Sequence, residues 1–279
     1  MSVVFNNKRR KMTFIKWVGC KSQLSNLIIN KIKEVDYVRY YEPFVGSGSI
    51  LFKLSPNKAI ISDVNWELIN CYLQIKNNVK ELIRRLEIHF KNHNKNYYIS
   101  IRKLDRTNEY SKISDIHKAS RIIYLITTCY NGLYRVNKSG QFNTPIGTNQ
   151  KYDYNRLIKS SEYLNNNKII IRTCSFEEAM IMGFDKDLYY LDPPYDSSDN
   201  TVYNQYTIRR FDRYNQLALK SMCDYLHSRN CYFLLSNSNT SFIKSLYNQY
   251  SIKEVITNRK ISSKTSSRGN VSELLISNY

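Results

Sequence analysis

Three carboxylates carry the chemistry this chain could do: Glu42 in "YYEPFVGSGS", Asp63 in "AIISDV" and Asp192 in "YYLDPPYDSSD". Each closes a run of aromatic or β-branched residues that reads as a strand. Asp192 is followed at once by Pro193, Pro194 and Tyr195. Two prolines end a strand ladder because they donate no N–H, and they hold the backbone extended with carbonyls exposed. A carboxylate beside a Pro carbonyl offers an acceptor to each hydrogen of an exocyclic amino group. Engaging both leaves the nitrogen lone pair free to meet an electrophile, and the Tyr195 ring can stack on a base that has left its duplex. Taken alone, the stretch reads equally well as a buried strand ending in a proline turn.

The glycine turn after Glu42 is the second signature. Gly46 and Gly48 allow close backbone approach to a ligand, and the helix that follows directs its N–H groups there. The third glycine of the dinucleotide fingerprint is missing. Asp63 falls 17 residues after Gly46 (63 − 46) at the end of the next strand. An acid there can accept hydrogen bonds from ribose hydroxyls, or it can cap a helix starting near Trp66. The pair points to a nucleoside-containing cofactor and leaves nicotinamide, flavin and S-adenosylmethionine open. No P-loop lysine follows, which argues against phosphoryl transfer. His89 and His93 have the i, i+4 spacing of a metal pair but no third ligand with them, so no metal is expected.

The elements that must hold these residues alternate. Strand-like runs cover 39–45, 58–64, 167–176, 187–194, 231–239, 251–257 and 272–279, and 213–230 has helical spacing at Leu217, Met222, Tyr225 and Leu226. Strands interleaved with helices predict a doubly wound α/β sheet, in which Glu42, Asp63 and Asp192 all lie at carboxyl ends of strands, where ligands collect. The middle differs. From about 66 to 135 the period is helical: Leu68, Cys71, Tyr72 and Ile75 mark one face, and Val79, Leu82, Ile83, Leu86 and Phe90 another. The segment 130–147, dense in Asn, Gly and basic residues, reads as a hairpin or loop. A mainly helical insertion therefore interrupts the sheet.

Charge narrows the partner. Lys+Arg 42 against Asp+Glu 23 gives a formal net charge of +19 over 279 residues, spread along the chain rather than confined to a tail. A folded surface this basic is usually neutralised by a polyanion, and 24 tyrosines supply rings that could stack on bases. Nucleic acid is the expected partner. The six cysteines form no C-x-x-C pair and the start lacks a secretory signal, which suits reduced thiols in the cytoplasm. No apolar run approaches a membrane span.

With those residues in view, the chain resembles the Dam-type DNA adenine-N6 methyltransferases, in which the glycine motif precedes a D-P-P-Y motif and the recognition domain lies between them. "FIKWVGCKSQL", "EPFVGSGS", "ISDVNWELI", "YNGLYRVNKSGQFNTPIG" and "SSKTSSRGNVSELLISNY" match family segments in order, and within the family the chain is most similar to methylases of GATC sites. The resemblance implies S-adenosylmethionine as cofactor, with Trp17, Lys21, Glu42, Phe44, Gly46, Asp63, Phe176 and Asp192 around it. It implies that Asp192, Pro193 and Tyr195 hold the target adenine. It places Lys16, Leu133, Arg135 and Pro145 against bases and Tyr130 and Asn131 where the adenine has left double-stranded DNA. The layout is then a catalytic domain over 1–68 and 165–279 with an inserted target-recognition domain over 69–164 and its hairpin at 130–147; a monomer suffices for this chemistry, and a cognate restriction endonuclease is a candidate partner. Two departures stand out: Cys20 replaces a family glycine, and the aromatic loop after Tyr195 is altered, with Tyr203 and Phe211 where related rings would fall. Lys264 and Arg268 are phosphate contacts or solvated charges. The competing readings are an N4-cytosine or RNA methyltransferase of the same fold, a catalytically inactive DNA-binding relative, and a nicotinamide enzyme.

Overall fold

Side chains alternate across the central strands, and both resulting faces are buried. Tyr40, Ile61, Leu188, Tyr190 and Leu234 point into one apolar core, whereas Tyr41, Ile60, Tyr189, Leu191 and Leu235 point into a second. Such two-faced burial is what a sheet covered by helices on both sides requires. The computed structural model describes residues 13–19, 21, 23–196, 211–258 and 270–279, so Cys20, Tyr203, Lys264 and Arg268 lie outside the described residues.

Among the described residues one sheet runs through β1 (Tyr40–Glu42), β2 (Lys58–Asp63), β3 (Lys168–Thr173), β4 (Leu188–Leu191), β5 (Tyr232–Ser238), β6 (Ser251–Asn258) and β7 (Asn270–Ser277), in the order β3-β2-β1-β4-β5-β7-β6. The predicted α/β sheet is present, with a strand in each of the predicted runs. The first five strands pair in parallel, while β7 is antiparallel to both β5 and β6. β1 stops at Glu42, short of the expected end at 45, because Pro43 follows and brings no N–H to the ladder. The order reverses between β1 and β4. That reversal is the switch point at which open α/β sheets open a crevice at their carboxyl ends.

One face of the sheet is covered by α1 (Ser25–Ile32), α2 (Ser49–Leu54), the first turns of α3 (Trp66–Lys91) and, beyond α4 (Lys95–Lys103), α5 (Glu109–Lys112) and α6 (Asp115–Thr128), by α7 (Asn155–Asn166). The other is covered by α8 (Phe176–Met180), α9 (Arg213–Ser228) and α10 (Ser241–Leu246). The two apolar stripes read between 66 and 90 belong to one helix, α3, which breaks at Asn78 (φ −136°, ψ 31°), between Ile75 and Val79. α6 packs along both halves of this helix: Asn70 donates to the Asp115 carbonyl at 2.7 Å in the first, and His89 meets the Ser120 hydroxyl at 3.4 Å in the second. The first core continues without interruption from the sheet into Tyr98, Tyr124 and Phe142 of the region between β2 and β3.

That region contains a buried charge cluster. Arg121 on α6, 1% exposed, places Nη2 2.7 Å from Asp105 Oδ2 and Nη1 3.6 Å from Glu67 Oε1. Glu67 also accepts hydrogen bonds from the Tyr110 hydroxyl (2.6 Å) and the Tyr134 hydroxyl (2.9 Å), and Asp105 accepts the Phe142 N–H (2.8 Å). The histidines are absorbed by packing: His89 Nδ1 meets the Tyr97 hydroxyl at 2.9 Å and His93 Nδ1 the Tyr124 hydroxyl at 2.7 Å. Burial lowers the His89 pKa to about 4, so the ring is neutral at pH 7. Among the described residues no helix is long and apolar enough to cross a membrane, and five cysteines are free thiols.

Candidate active site

The carboxyl ends of β1, β2 and β4 bring the three acids to one edge of the sheet. Glu42 ends β1, Asp63 ends β2 and Asp192 directly follows β4, so Glu42 and Asp192 flank the switch point. Glu42 is 3% exposed and accepts a hydrogen bond from the Tyr40 hydroxyl at 2.8 Å. Burial, with the Asp192 charge adding to it, pushes its carboxyl up to about 8. Asp63 is raised to about 6, again by burial, although backbone amides oppose the shift. Asp192 is raised by burial and held back by Lys21. One buried and two half-buried acids, each with its pKa raised, describe a site suited to positive charge.

Lys21 is the cation placed there. Its Nζ lies 2.7 Å from Asp192 Oδ1 and 4.6 Å from the centre of the Tyr195 ring, and it donates to the Gly19 carbonyl at 2.8 Å. The ammonium therefore sits against both the carboxylate and the aromatic face that Asp192-Pro193-Pro194-Tyr195 presents. Tyr195 is anchored at its other end, its hydroxyl donating to Glu273 Oε2 on β7 at 2.7 Å. The Pro194 carbonyl accepts from Gln216 Nε2 at 2.9 Å. Among the described residues the carbonyl of Pro193 accepts no hydrogen bond. A second amino group could use Asp192 and the Pro193 carbonyl together once the ammonium moves aside.

The glycine turn is tied to Asp63. The Gly46 amide donates to Asp63 Oδ2 at 3.2 Å and the Asn65 amide to Oδ1 at 3.0 Å. The cap of α3 is Asn65, whose Oδ1 accepts the Leu68 N–H at 3.1 Å, so the cap reading of Asp63 is corrected. Gly46 has φ +49°, and a Cβ there would stand 2.9 Å from Trp17 Cδ1. Gly48 has φ +68°, and its Cβ would meet the Tyr72 hydroxyl at 2.6 Å. Side chains are excluded at both positions by conformation and by space. Trp17 stacks on Tyr134 with centroids 4.9 Å apart, so the turn and the region between β2 and β3 share one aromatic contact. Phe44 stacks on Phe176 (5.6 Å, 27°), and Phe211 completes the cluster at 6.0 and 5.8 Å from them.

The remaining sequence-predicted residues gather on the hairpin. Isolated bridges join Cys129 to Ile146 and Val136 to Phe142. The Tyr130 N–H donates to the Pro145 carbonyl at 2.8 Å, and the Leu133 carbonyl accepts the Thr144 hydroxyl at 2.7 Å. Asn131 adopts φ +57° beside Gly132, whose hypothetical Cβ would meet Lys16 Cδ at 2.7 Å; Lys16 thus lies against the hairpin. Arg135 is exposed and donates Nε to Asn143 Oδ1 (2.7 Å) and Nη2 to the Asn143 carbonyl (3.3 Å). Sequence reasoning missed Glu273, Tyr40, Asn143 and Gln216. A charged residue inside the otherwise apolar run "SELLIS" is the one available signal for Glu273.

Acids at the carboxyl ends of β1, β2 and β4, beside a glycine turn and a topological switch point, mark the position at which open α/β sheets hold their ligands. The comparisons then fix the family. The sequence profile described as D12 class N6 adenine-specific DNA methyltransferase matches residues 17–261. The chain is 39% identical over 283 residues to the type II methyltransferase M1.LlaDCHI of Lactococcus lactis subsp. cremoris, covering 100% of this chain and 99% of that one. It is 36% identical to the type II methyltransferase M.MjaIII of Methanocaldococcus jannaschii (95% and 98% covered) and 28% identical to the DNA adenine methylase of Escherichia coli strain K12 (96% and 95% covered). The chain belongs to the D12 class of N6 adenine-specific DNA methyltransferases and is an enzyme of that class.

Proposed function

We propose that the enzyme transfers the methyl group of S-adenosylmethionine to N6 of adenine within GATC sites of double-stranded DNA. The observation that carries this reading is the Asp192 carboxylate beside a Pro193 carbonyl that, among the described residues, no donor occupies, at the switch point. Together they hold the two N6 hydrogens and aim the nitrogen lone pair. Held this way, N6 would form its bond to the methyl carbon as the carbon–sulfur bond broke, with S-adenosylhomocysteine leaving as a neutral thioether and the surplus N6 proton passing to solvent. Catalysis is positioning plus electrostatics, without a covalent enzyme intermediate. S-adenosylmethionine supplies an electrophilic methyl on a cationic sulfur. Glu42, Asp63 and Asp192, all with raised pKa, suit a ligand bearing positive charge. Trp17, Lys21, Phe44, Gly46 and Phe176 are assigned to the same cofactor.

Residues 1–68 and 165–279 form the catalytic unit in this reading, and 69–164 the recognition unit. Lys16, Leu133, Arg135 and Pro145 read bases, while Tyr130 and Asn131 support the DNA at the vacated position. The gathering of these residues on one hairpin, with Lys16 against it, and the net charge of +19 support DNA as substrate. The test is incubation with S-adenosylmethionine and two duplexes, one with GATC and one scrambled, followed by mass spectrometry of the nucleosides. N6-methyladenine in the GATC duplex alone is expected. Equal methylation of both refutes the site, and N4-methylcytosine refutes the target atom.

A further inference from the structure

The two prolines that expose an acceptor at Asp192 also deprive the segment of backbone donors, so something else must hold its peptide planes. Two buried amides do so. Gln216, on the first turn of α9, is 1% exposed, and Asn237, in β5, is 0% exposed. Both stand among apolar neighbours of the second core, where Leu219 and Leu235 are also buried. A buried amide left unpaired costs about 1–3 kcal/mol, and an aliphatic side chain would fill these positions without that risk. Their polarity therefore needs a local reason.

The hydrogen bonds supply it. Gln216 Nε2 donates to the Pro194 carbonyl at 2.9 Å, and Gln216 Oε1 accepts from Asn237 Nδ2 at 3.0 Å. Asn237 Oδ1 accepts the Asp196 N–H at 3.2 Å and the Ser238 N–H at 2.8 Å. The chain of donors has a forced direction: it begins on a backbone N–H and ends on a backbone carbonyl, so each amide can take only one orientation. Its two ends lie on the peptide groups immediately before and after Tyr195. Ser238 and Thr240 hydroxyls add to the grip on Asp196, donating to its carbonyl (2.7 Å) and to Oδ2 (2.9 Å).

We propose that Gln216 and Asn237 are positioning residues for methyl transfer. The pair occupies the Pro194 carbonyl and fixes both peptide planes around Tyr195. The Pro193 carbonyl is thereby left as the one offered, with Asp192, to the target amino group. This inference rests on the assignment of Asp192–Tyr195 as the site of methyl transfer. Neither amide touches substrate; both act through the backbone they hold.

The experiment compares single-turnover methylation at saturating S-adenosylmethionine and DNA in Gln216→Met, Gln216→Glu and Asn237→Leu, with Asp192→Ala alongside. Gln216→Glu keeps the size and the acceptor for Asn237 but places an oxygen against the Pro194 carbonyl. The folded fraction of each variant is counted by cofactor titration, so loss of folding does not count as loss of rate. The rate per folded molecule is expected to fall roughly tenfold or more in each Gln216 variant, with the cofactor Kd within about threefold of wild type. The Gln216→Met/Asn237→Leu double variant is expected to lose little beyond either single change, since one chain of bonds is broken in all three. Gln216 variants within about twofold of the wild-type rate, in a series where Asp192→Ala is inactive, overturn the positioning role. An active Asp192→Ala instead overturns the underlying site assignment.

Discussion

Arg121→Met removes the cation that Glu67 and Asp105 share in the buried cluster. At an effective dielectric constant of about 20, pairs at 2.7 and 3.6 Å each carry a gross attraction of about 5–6 kcal/mol. Desolvation of three charges offsets most of that gain. The variant, however, keeps the desolvated carboxylates and loses their partner, which costs about 3–5 kcal/mol for a buried pair. It also frees the Ile101 and Arg102 carbonyls, each of which accepts from the guanidinium at 2.9 Å. Urea unfolding of Arg121→Met is expected to register a loss of about 3–5 kcal/mol. Adding Glu67→Gln and Asp105→Asn is expected to recover a large part of it, because no uncompensated charge then remains. The damage reaches the hairpin, since Asp105 holds the Phe142 N–H and Glu67 holds Tyr134. Amide exchange over 130–147 should accelerate more than exchange in β4 and β5. A loss below about 1 kcal/mol would refute the reasoning, because it would place the cluster in the range of an exposed surface pair.

Two further predictions concern the site. Glu42, raised from 4.5 to about 8 by burial, keeps in the folded state a proton that the unfolded chain releases. Its stabilising contribution is complete below pH 4.5 and falls as pH rises toward 8, by up to about 1.4 kcal/mol per unit. The difference in unfolding free energy between wild type and Glu42→Gln should therefore change between pH 5 and 8, and a constant difference would be the contrary result. Asn143→Ala releases the Arg135 guanidinium from both of its tethers. It is expected to lower discrimination between GATC and single-mismatch duplexes by roughly tenfold while leaving the cofactor Kd unchanged, and unchanged discrimination counts against a role in reading bases.

The central strands were legible because they bury both faces and so carry a continuous apolar run, as "LYYL" and "YFLL" do, whereas the largely exposed edge strands β3 and β6 show only their β-branched residues. The insertion of β7 between β5 and β6 was not, since sheet order is decided by pairing between distant segments. Helix α8, five residues long, is too short to display a period. Within the candidate site, the placement of Asp192, Pro193 and Tyr195 at a strand end was legible because the residues are contiguous and directly follow an apolar run. Glu273 was not, because it stands 78 residues from the Tyr195 hydroxyl that it accepts. Gln216 and Asn237 read as ordinary polar positions in a helix and a strand, and only their burial beside Pro194 and Asp196 gives them a task. Arg121 likewise passed as one residue of an amphipathic helix until α3 and the hairpin closed over it.

The central claim is that Asp192 holds the target amino group for methyl transfer. It is tested most directly by single-turnover methylation of a GATC duplex by Asp192→Ala, with cofactor and DNA binding measured on the same preparation. DNA binding is expected to persist, and at saturating cofactor the rate is expected to fall by roughly a thousandfold, as when a transition-state contact is lost. A rate near that of wild type at saturating cofactor and DNA would contradict it.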